Sequence, residues 1–181
     1  MNGMAEDRIH HRFEFYSAQY ARLGTDTAAE IWREVYGEDL GQQGWRTLDE
    51  QAQIAELIGT SSCDVLDIAC GSGGPSLALV ASTGCKLTGV DIEAPGIEYA
   101  QRLALERGLA DRAHFVVCDC RNRLPFEDES FDFAVCIDAI SHLGDRFAAL
   151  SAWSRLLRPG GRLLFTDSVV LTLLAPDHRR Q

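Results

Sequence analysis

The sequence predicts a single α/β domain of the doubly wound type, a parallel sheet with helices on both faces. Between residues 62 and 167, short and nearly continuous apolar runs alternate with amphipathic stretches, as strands buried on both faces alternate with covering helices. A glycine-rich turn, Gly71-Ser72-Gly73-Gly74-Pro75, joins the first run to the first helical stretch, and an acid, Asp91, ends the second run. Right-handed crossovers wind such a sheet outward in both directions from one point, and ligands bind at the carboxyl ends of the strands where the winding reverses. The glycine turn is the natural place for that reversal.

Residues 1–60 have a different texture, helical and aromatic, and are expected to form an N-terminal lid or substrate region on a core of residues 61–181. Phe13, Tyr16, Tyr20 and Leu23 recur at helical spacing. A second helix is expected from Thr27 to Tyr36, followed by a glycine-bearing loop from Gly37 to Trp45. Thr47 and Glu50 form a capping-box pattern that opens a third helix, closed near Gly59.

In the core, Val65 to Ala69 is the first expected strand and Pro75 to Ser82 its helix. Leu87 to Val90 is the second strand, and Pro95 sits at the favoured first position of a helix ending at Gly108. Phe115 to Cys118 and Phe133 to Ile137 are the third and fourth strands, joined by a polar connection through Pro125 with little or no helix. Phe147, Leu150, Trp153 and Leu157 stripe the next helix, which Pro159-Gly160-Gly161 breaks before a fifth strand, Leu163-Leu164-Phe165.

A formal net charge of −10 repels phosphate backbones and anionic lipid, so nucleic acid is not expected as a partner. No apolar run is long enough to span a membrane and the start carries no signal-peptide core, so a cytoplasmic protein is expected. Six cysteines then read as reduced thiols, at least four of them in apolar runs expected to be buried strands. Cys118-Asp119-Cys120 lacks a second ligand pair at zinc spacing, and no metal is expected.

The glycine turn carries the chemistry. Glycine lets a ligand approach the backbone, and a helix start offers N–H groups. A carboxylate such as Asp91 at the end of the second strand can accept hydrogen bonds from both ribose hydroxyls of an adenosine cofactor, while contributing little to the core. A dinucleotide fingerprint wants glycine at its sixth position, where this chain has Ser76. Asp67, at the end of the first strand, would repel a pyrophosphate and suits a cationic ligand instead.

The segment Asp67-Ile68-Ala69-Cys70-Gly71-Ser72-Gly73 resembles motif I of the class I S-adenosylmethionine (SAM) dependent methyltransferases. Gly89-Val90-Asp91-Ile92 resembles their second motif. Cys118-Asp119-Cys120, Leu124-Pro125-Phe126 and Ser130-Phe131-Asp132 are similar to the family's adenine-contacting turn and fourth strand, and Leu156 to Leu163 to the approach to its fifth. The Gly-Gly-Pro turn, with Tyr36 to Leu40 and Gly44-Trp45, is reminiscent of small-molecule enzymes of the sarcosine and dimethylglycine type. The resemblance implies a Rossmann-like sheet of order 3-2-1-4-5, SAM as cofactor and a small-molecule methyl acceptor. It implies that Asp67, Ala69, Gly71 and Gly73 surround the methionine part, that Asp91 and Ile92 hold the ribose and flank the adenine, and that Asp119 and Cys120 meet the adenine. Asp138 or Ala139 would lie near the methionine chain. Tyr16, Tyr20 and Trp45 could lid the methyl group, although their spacing also suits core packing. His142, after the fourth strand, is the best candidate for a base or acceptor contact, with a loop-lining role as its alternative.

Two other readings compete: a SAM-binding chain without turnover, and a nicotinamide oxidoreductase, which Ser76 and Asp67 count against. The family pattern continues past the fifth strand with a helix and the sixth and seventh strands, which the residues after Asp167 are too few to supply. An open edge at the fifth strand is therefore expected, with either a homodimer formed through it or a marginally stable and poorly active chain.

Overall fold

A computed structural model of the chain describes residues 16, 18–20, 23, 25–37, 39–41, 44, 46–59 and 62–167. Phe13, Trp45 and the apolar stretch after Asp167 lie outside them.

In order, the elements are α1 (Asp26–Tyr36), α2 (Leu48–Ile58), β1 (Asp64–Ile68), α3 (Gly74–Thr83), β2 (Lys86–Asp91), α4 (Ala94–Glu106), β3 (Ala113–Val117), β4 (Phe131–Cys136), a 3-10 turn (Ile140–His142), α5 (Arg146–Ser154) and β5 (Leu157–Phe165). Tyr16 and Tyr20 lie on a further helical stretch ahead of α1. The strands form one sheet of order β3-β2-β1-β4-β5 with every neighbouring pair parallel. β1 lies at the centre, so the chain winds outward from it in both directions, and the reversal falls at the turn after β1, as expected.

Burial follows the apolar runs. Val65, Leu66 and Ile68 of β1 have no exposed surface, because both faces of the sheet are covered. One face packs Val65, Leu87, Phe115 and Val135 against Ile54, Leu77 and Ile97 of the helices. The other packs Leu66, Ile68, Val90 and Cys136 against Ile140, Ala149, Trp153 and Leu156.

The helix ends obey local chemistry. The Glu50 N–H donates to Thr47 Oγ1 at 3.3 Å, and the Thr47 N–H donates to Glu50 Oε2 at 2.8 Å, completing the capping box of α2. α4 begins at Ala94, so Pro95 takes its second position rather than its first. It closes with Gly108 at φ +66° and the Leu109 N–H donating to the Ala104 carbonyl at 2.9 Å. No helix of the described residues is long and apolar enough to cross a membrane.

Three expectations need correction. Phe147 is 82% exposed and Leu157 belongs to β5, so the apolar stripe of α5 reduces to its inner residues, with Trp153 at 1% exposure. Pro159-Gly160-Gly161 lies within β5 rather than ahead of it. The register jumps from Phe131↔Leu157 to Phe133↔Arg162, so the Pro-Gly-Gly stretch forms a bulge, which a strand flanked only by β4 among the described residues accommodates. Of the cysteines, only Cys136 lies within a strand; Cys63, Cys85 and Cys118 flank strand ends. All six are thiols, with Cys85 and Cys136 buried.

Trp153 fills the space between α5 and the sheet, and its indole N–H donates to the Cys120 carbonyl at 3.2 Å. Trp153→Ala is expected to cost about 3–5 kcal/mol of stability, through the cavity left and the lost hydrogen bond. Urea unfolding measures this, and a loss below about 1 kcal/mol would show that α5 repacks freely.

Candidate functional site

The chain after β1 must reverse direction within a few residues to enter α3. Ala69, Gly71 and Gly73 all adopt left-handed φ values, +59°, +59° and +72°. For Ala69 that conformation carries strain, held in place by the Cys70 N–H, which donates to the Val90 carbonyl at 3.0 Å. The carboxylate of Asp91 reaches across from the end of β2. The Gly71 N–H donates to Oδ2 at 2.8 Å, and the Glu93 N–H to Oδ1 at 2.9 Å. Asp91 is 7% exposed, and burial pushes its carboxyl above the usual range despite these backbone donors.

The glycines do different work. A Cβ on Gly71 would stand 3.1 Å from the Tyr20 hydroxyl oxygen, on the cavity side. A Cβ on Gly73 would meet Ala100 Cβ at 2.5 Å and the Phe115 ring at 2.9 Å, so this glycine lets α4 and β3 pack closely. A Cβ on Gly74 would land on the Leu40 carbonyl oxygen, where the N-terminal segment crosses the start of α3. The Ser72 hydroxyl donates to the Gly41 carbonyl at the same crossing.

A cavity opens above this loop at the carboxyl ends of the strands. Its wall includes Ala69, Gly71, Asp91, Ile92, Asp119, Cys120, Asp138, Ala139, His142, Tyr16 and Tyr20, so most residues singled out from the sequence meet in one place. Asp67 and Gly73 do not line it. Asp67 is 2% exposed and accepts a 2.6 Å hydrogen bond from the Ser76 hydroxyl. Burial pushes its carboxyl up, while Arg46 and that hydrogen bond pull it down. The residue that departs from a dinucleotide fingerprint thus has a structural task, and the acids that line the cavity itself are Asp91, Glu93, Asp119 and Asp138. Trp45 lies outside the described residues.

Asp119 is already engaged by its own loop. Arg121 Nε and a terminal guanidinium nitrogen donate to its two oxygens at 2.8 Å each, and Asn122 Nδ2 adds a third side-chain bond at 3.1 Å. The Arg121 bonds and charge hold its carboxyl below the usual range. Asp138 has φ +58°; its N–H donates to Thr166 Oγ1 at 2.8 Å, and that hydroxyl donates back to Asp138 Oδ1 at 3.3 Å.

Tyr20 is 8% exposed, wedged between Gly71 and Gly96, and burial pushes its phenol up, with Asp91 adding to the effect. Tyr16 reaches the far wall. Its hydroxyl lies 3.1 Å from His142 Nε2, with the rings edge to face at 5.9 Å. When the imidazole proton is on Nδ1, the phenol donates to Nε2.

The sequence reading missed Arg46. It is 8% exposed and lines the cavity beside Asp67 and Asp138. Its guanidinium donates to Gln51 Oε1 at 2.8 Å, and Gln51 Nε2 donates to the Pro75 carbonyl at 2.9 Å. Burial lowers its pKa and the two aspartates oppose this. The available signal was a lone cation wedged between a glycine loop and the capping residue of α2.

The match to known proteins agrees with this geometry. Residues 65–161 fit the model of a methyltransferase domain. The chain is 30% identical to a 27-O-demethylrifamycin SV methyltransferase of Amycolatopsis mediterranei over 82% of its own length and 58% of that protein's. Among solved structures it resembles geranyl diphosphate methyltransferase in complex with GPP and sinefungin, with a TM-score of 0.56 and 30% identity over 64% of this chain and 44% of that one. It also resembles the [4+2]-cyclase SpnF, with a TM-score of 0.58 and 27% identity over 68% of this chain and 48% of that one. The chain spans well under two thirds of each. It belongs to the methyltransferase-domain family, in the class I, Rossmann-like form.

Asp91→Ala leaves the Gly71 and Glu93 N–H groups without their acceptor, so the cost to the fold exceeds what a strand-end carboxylate implies from sequence. An expected loss of about 1–3 kcal/mol is read by chemical denaturation. A variant as stable as the parent would mean that Asp91 does not hold the loop.

Proposed function

We propose that the cavity binds SAM and that the chain transfers its methyl group to a small-molecule acceptor. The observation that carries this reading is the distribution of charge along one cavity. A hydrogen-bonding carboxylate, Asp91, stands at one side of the glycine loop, and a buried cation, Arg46, stands with Asp138 at the other. A ligand with ribose hydroxyls at one end and a zwitterionic amino acid at the other matches both. Gly71 lines the same cavity, and a side chain there would press on the Tyr20 hydroxyl 3.1 Å from its Cβ and narrow the space beside the loop.

In this reading Asp91 accepts the ribose hydroxyls, Ile92 flanks the adenine, and Asp119 and Cys120 meet its edge. Arg46 faces the carboxylate, and Asp138 with Ala69 and Gly71 the rest of the amino-acid part. Asp67 acts from behind the wall by orienting Arg46, and Gly73 by packing. The bound cofactor supplies an activated methyl carbon; the protein aligns the acceptor with it and excludes water. Tyr16 and Tyr20, from the N-terminal region that packs on the core, act as a lid over the acceptor side of the cavity. His142 Nε2 takes the proton of an acceptor hydroxyl once the acceptor displaces the Tyr16 phenol. The relatives named for methylation of rifamycin and geranyl diphosphate support a small organic acceptor.

SpnF, described as a cyclase, supports a second reading, a chain of this fold that uses the cavity without transferring methyl. Thermal shift and a radiolabel methyl-transfer assay on cell extract separate the readings. SAM at a hundredfold excess over its dissociation constant is expected to add about 2.7 kcal/mol of stability, with NAD without effect. A response to NAD alone overturns the proposal, and a response to SAM without label transfer favours the second reading. His142→Ala is expected to lower turnover at least tenfold while SAM affinity holds; equal loss of both assigns His142 a structural role.

Two copies are proposed to associate through β5, which has one strand neighbour among the described residues and carries Phe165 at 41% exposure. Light scattering across a concentration series is expected to give a dimer mass; a monomer at all concentrations overturns it.

A further inference from the structure

At the amino ends of β1 and β2, opposite the cavity, two cysteines stand side by side. β1 and β2 pair with Asp64 opposite Lys86 and Val65 opposite Leu87. The Lys86 N–H donates to the Cys63 carbonyl at 2.9 Å, the last bond of this ladder, and extending the same register by one residue sets Cys63 opposite Cys85. Opposed residues of parallel strands point to the same face. Both thiols accordingly pack in the cluster that holds Val65 and Leu87. Neighbouring strands run about 4.8 Å apart, inside the Cα window of about 4.4–6.8 Å that a disulfide spans. The two thiols are close enough to interact electrostatically. Cys63 is half-buried, whereas Cys85 has no exposed surface. The methyl-transfer reading uses neither.

We propose that Cys63 and Cys85 form a redox-sensitive pair that closes a disulfide within the folded chain, with Cys63 meeting the oxidant and Cys85 resolving it. The co-reactant is a small-molecule disulfide. The Cys63 thiolate attacks one of its sulfurs, the S–S bond of the oxidant breaks, and one small thiolate leaves. The Cys85 thiol then attacks the Cys63 sulfur, its proton passing to the departing small thiolate. The Cys63–Cys85 bond forms and the second small thiolate departs. The protein loses two electrons and two protons, and the small disulfide gains the electrons. Burial pushes the Cys85 thiol up while the Thr83 hydroxyl favours its thiolate, so the second step is the slower one.

The new bond would tie the start of β1 to the start of β2 and enclose the glycine turn and α3 in one covalent loop. Constraining the unfolded chain in this way raises the unfolding midpoint. The cavity lies at the other strand ends and keeps its shape.

The test is incubation of the folded chain with oxidised glutathione, alkylation of remaining thiols, and peptide mapping by mass spectrometry. A Cys63–Cys85 linked peptide is expected, with an unfolding midpoint raised by about 5–10 °C and restored by dithiothreitol. Cys85→Ser is expected to trap glutathione on Cys63, and Cys63→Ser to leave Cys85 unmodified. Glutathione retained on Cys63 of the parent chain with no link, or links confined to other cysteines such as Cys120 and Cys136, overturns the proposal. If Cys85→Ser fails to fold, the map of the parent chain decides alone.

Discussion

The site depends on one reach across the sheet, the Asp91 carboxylate returning from the end of β2 to the turn after β1. The two strands run in register up to Ile68↔Val90, so the residue just past that pair on β2 stands beside the start of the turn. Three left-handed residues within five positions reverse the chain there, and such a turn leaves backbone N–H groups pointing inward. Asp91 accepts one of them and also ties down the Glu93 N–H ahead of α4. One buried side chain thus couples β1, β2 and the helices that follow both strands. Its desolvation is costly, and the backbone donors offset part of that cost.

The N-terminal segment is built against the same turn. Leu40 and Gly41 cross where Gly74 has no side chain and where the Ser72 hydroxyl finds a carbonyl. Gln51 bonds both the Pro75 carbonyl and Arg46, and thereby carries the position of α3 to a cation in the cavity wall. The region that reads as a lid from its aromatics is therefore also structural. Tyr20 fills the gap between Gly71 and Gly96, while Tyr16 reaches across the cavity.

Much of this was legible because strands covered on both faces have a distinctive apolar texture, and because glycines and capping boxes are local signals. The reversal at β1 and the gathering of Asp91, Asp138 and His142 at one end followed from the doubly wound alternation, and the strand order from the family resemblance. What stayed hidden depends on distances between segments remote in sequence. Nothing local shows that Gly73 serves Ala100 and Phe115, that Asp67 is held behind the wall by Ser76, or that Arg46 is buried opposite them. The α5 stripe misled for a related reason: Phe147 and Leu157 fit helical spacing, but the helix ends at Ser154, and a spacing rule cannot see where a chain leaves its helix.

The fold and the cavity constrain the ligand more tightly than the reaction. The hydrogen-bonded turn, Asp91 and the Arg46 network lie on the side that, in the proposed reading, meets an adenosine and amino-acid ligand. The side open to an acceptor is bounded by a single-turn 3-10 segment carrying His142, whose nearest described partner is a phenol from another part of the chain. In the proposed reading an acceptor hydroxyl takes the place of the Tyr16 phenol beside His142 Nε2, so a change of that partner would alter the chemistry without disturbing the ligand site. Chains of one architecture carry names as different as methyltransferase and cyclase, and in the proposed reading the specificity of this chain would lie in the contact between His142 and the hydroxyl that takes the place of Tyr16.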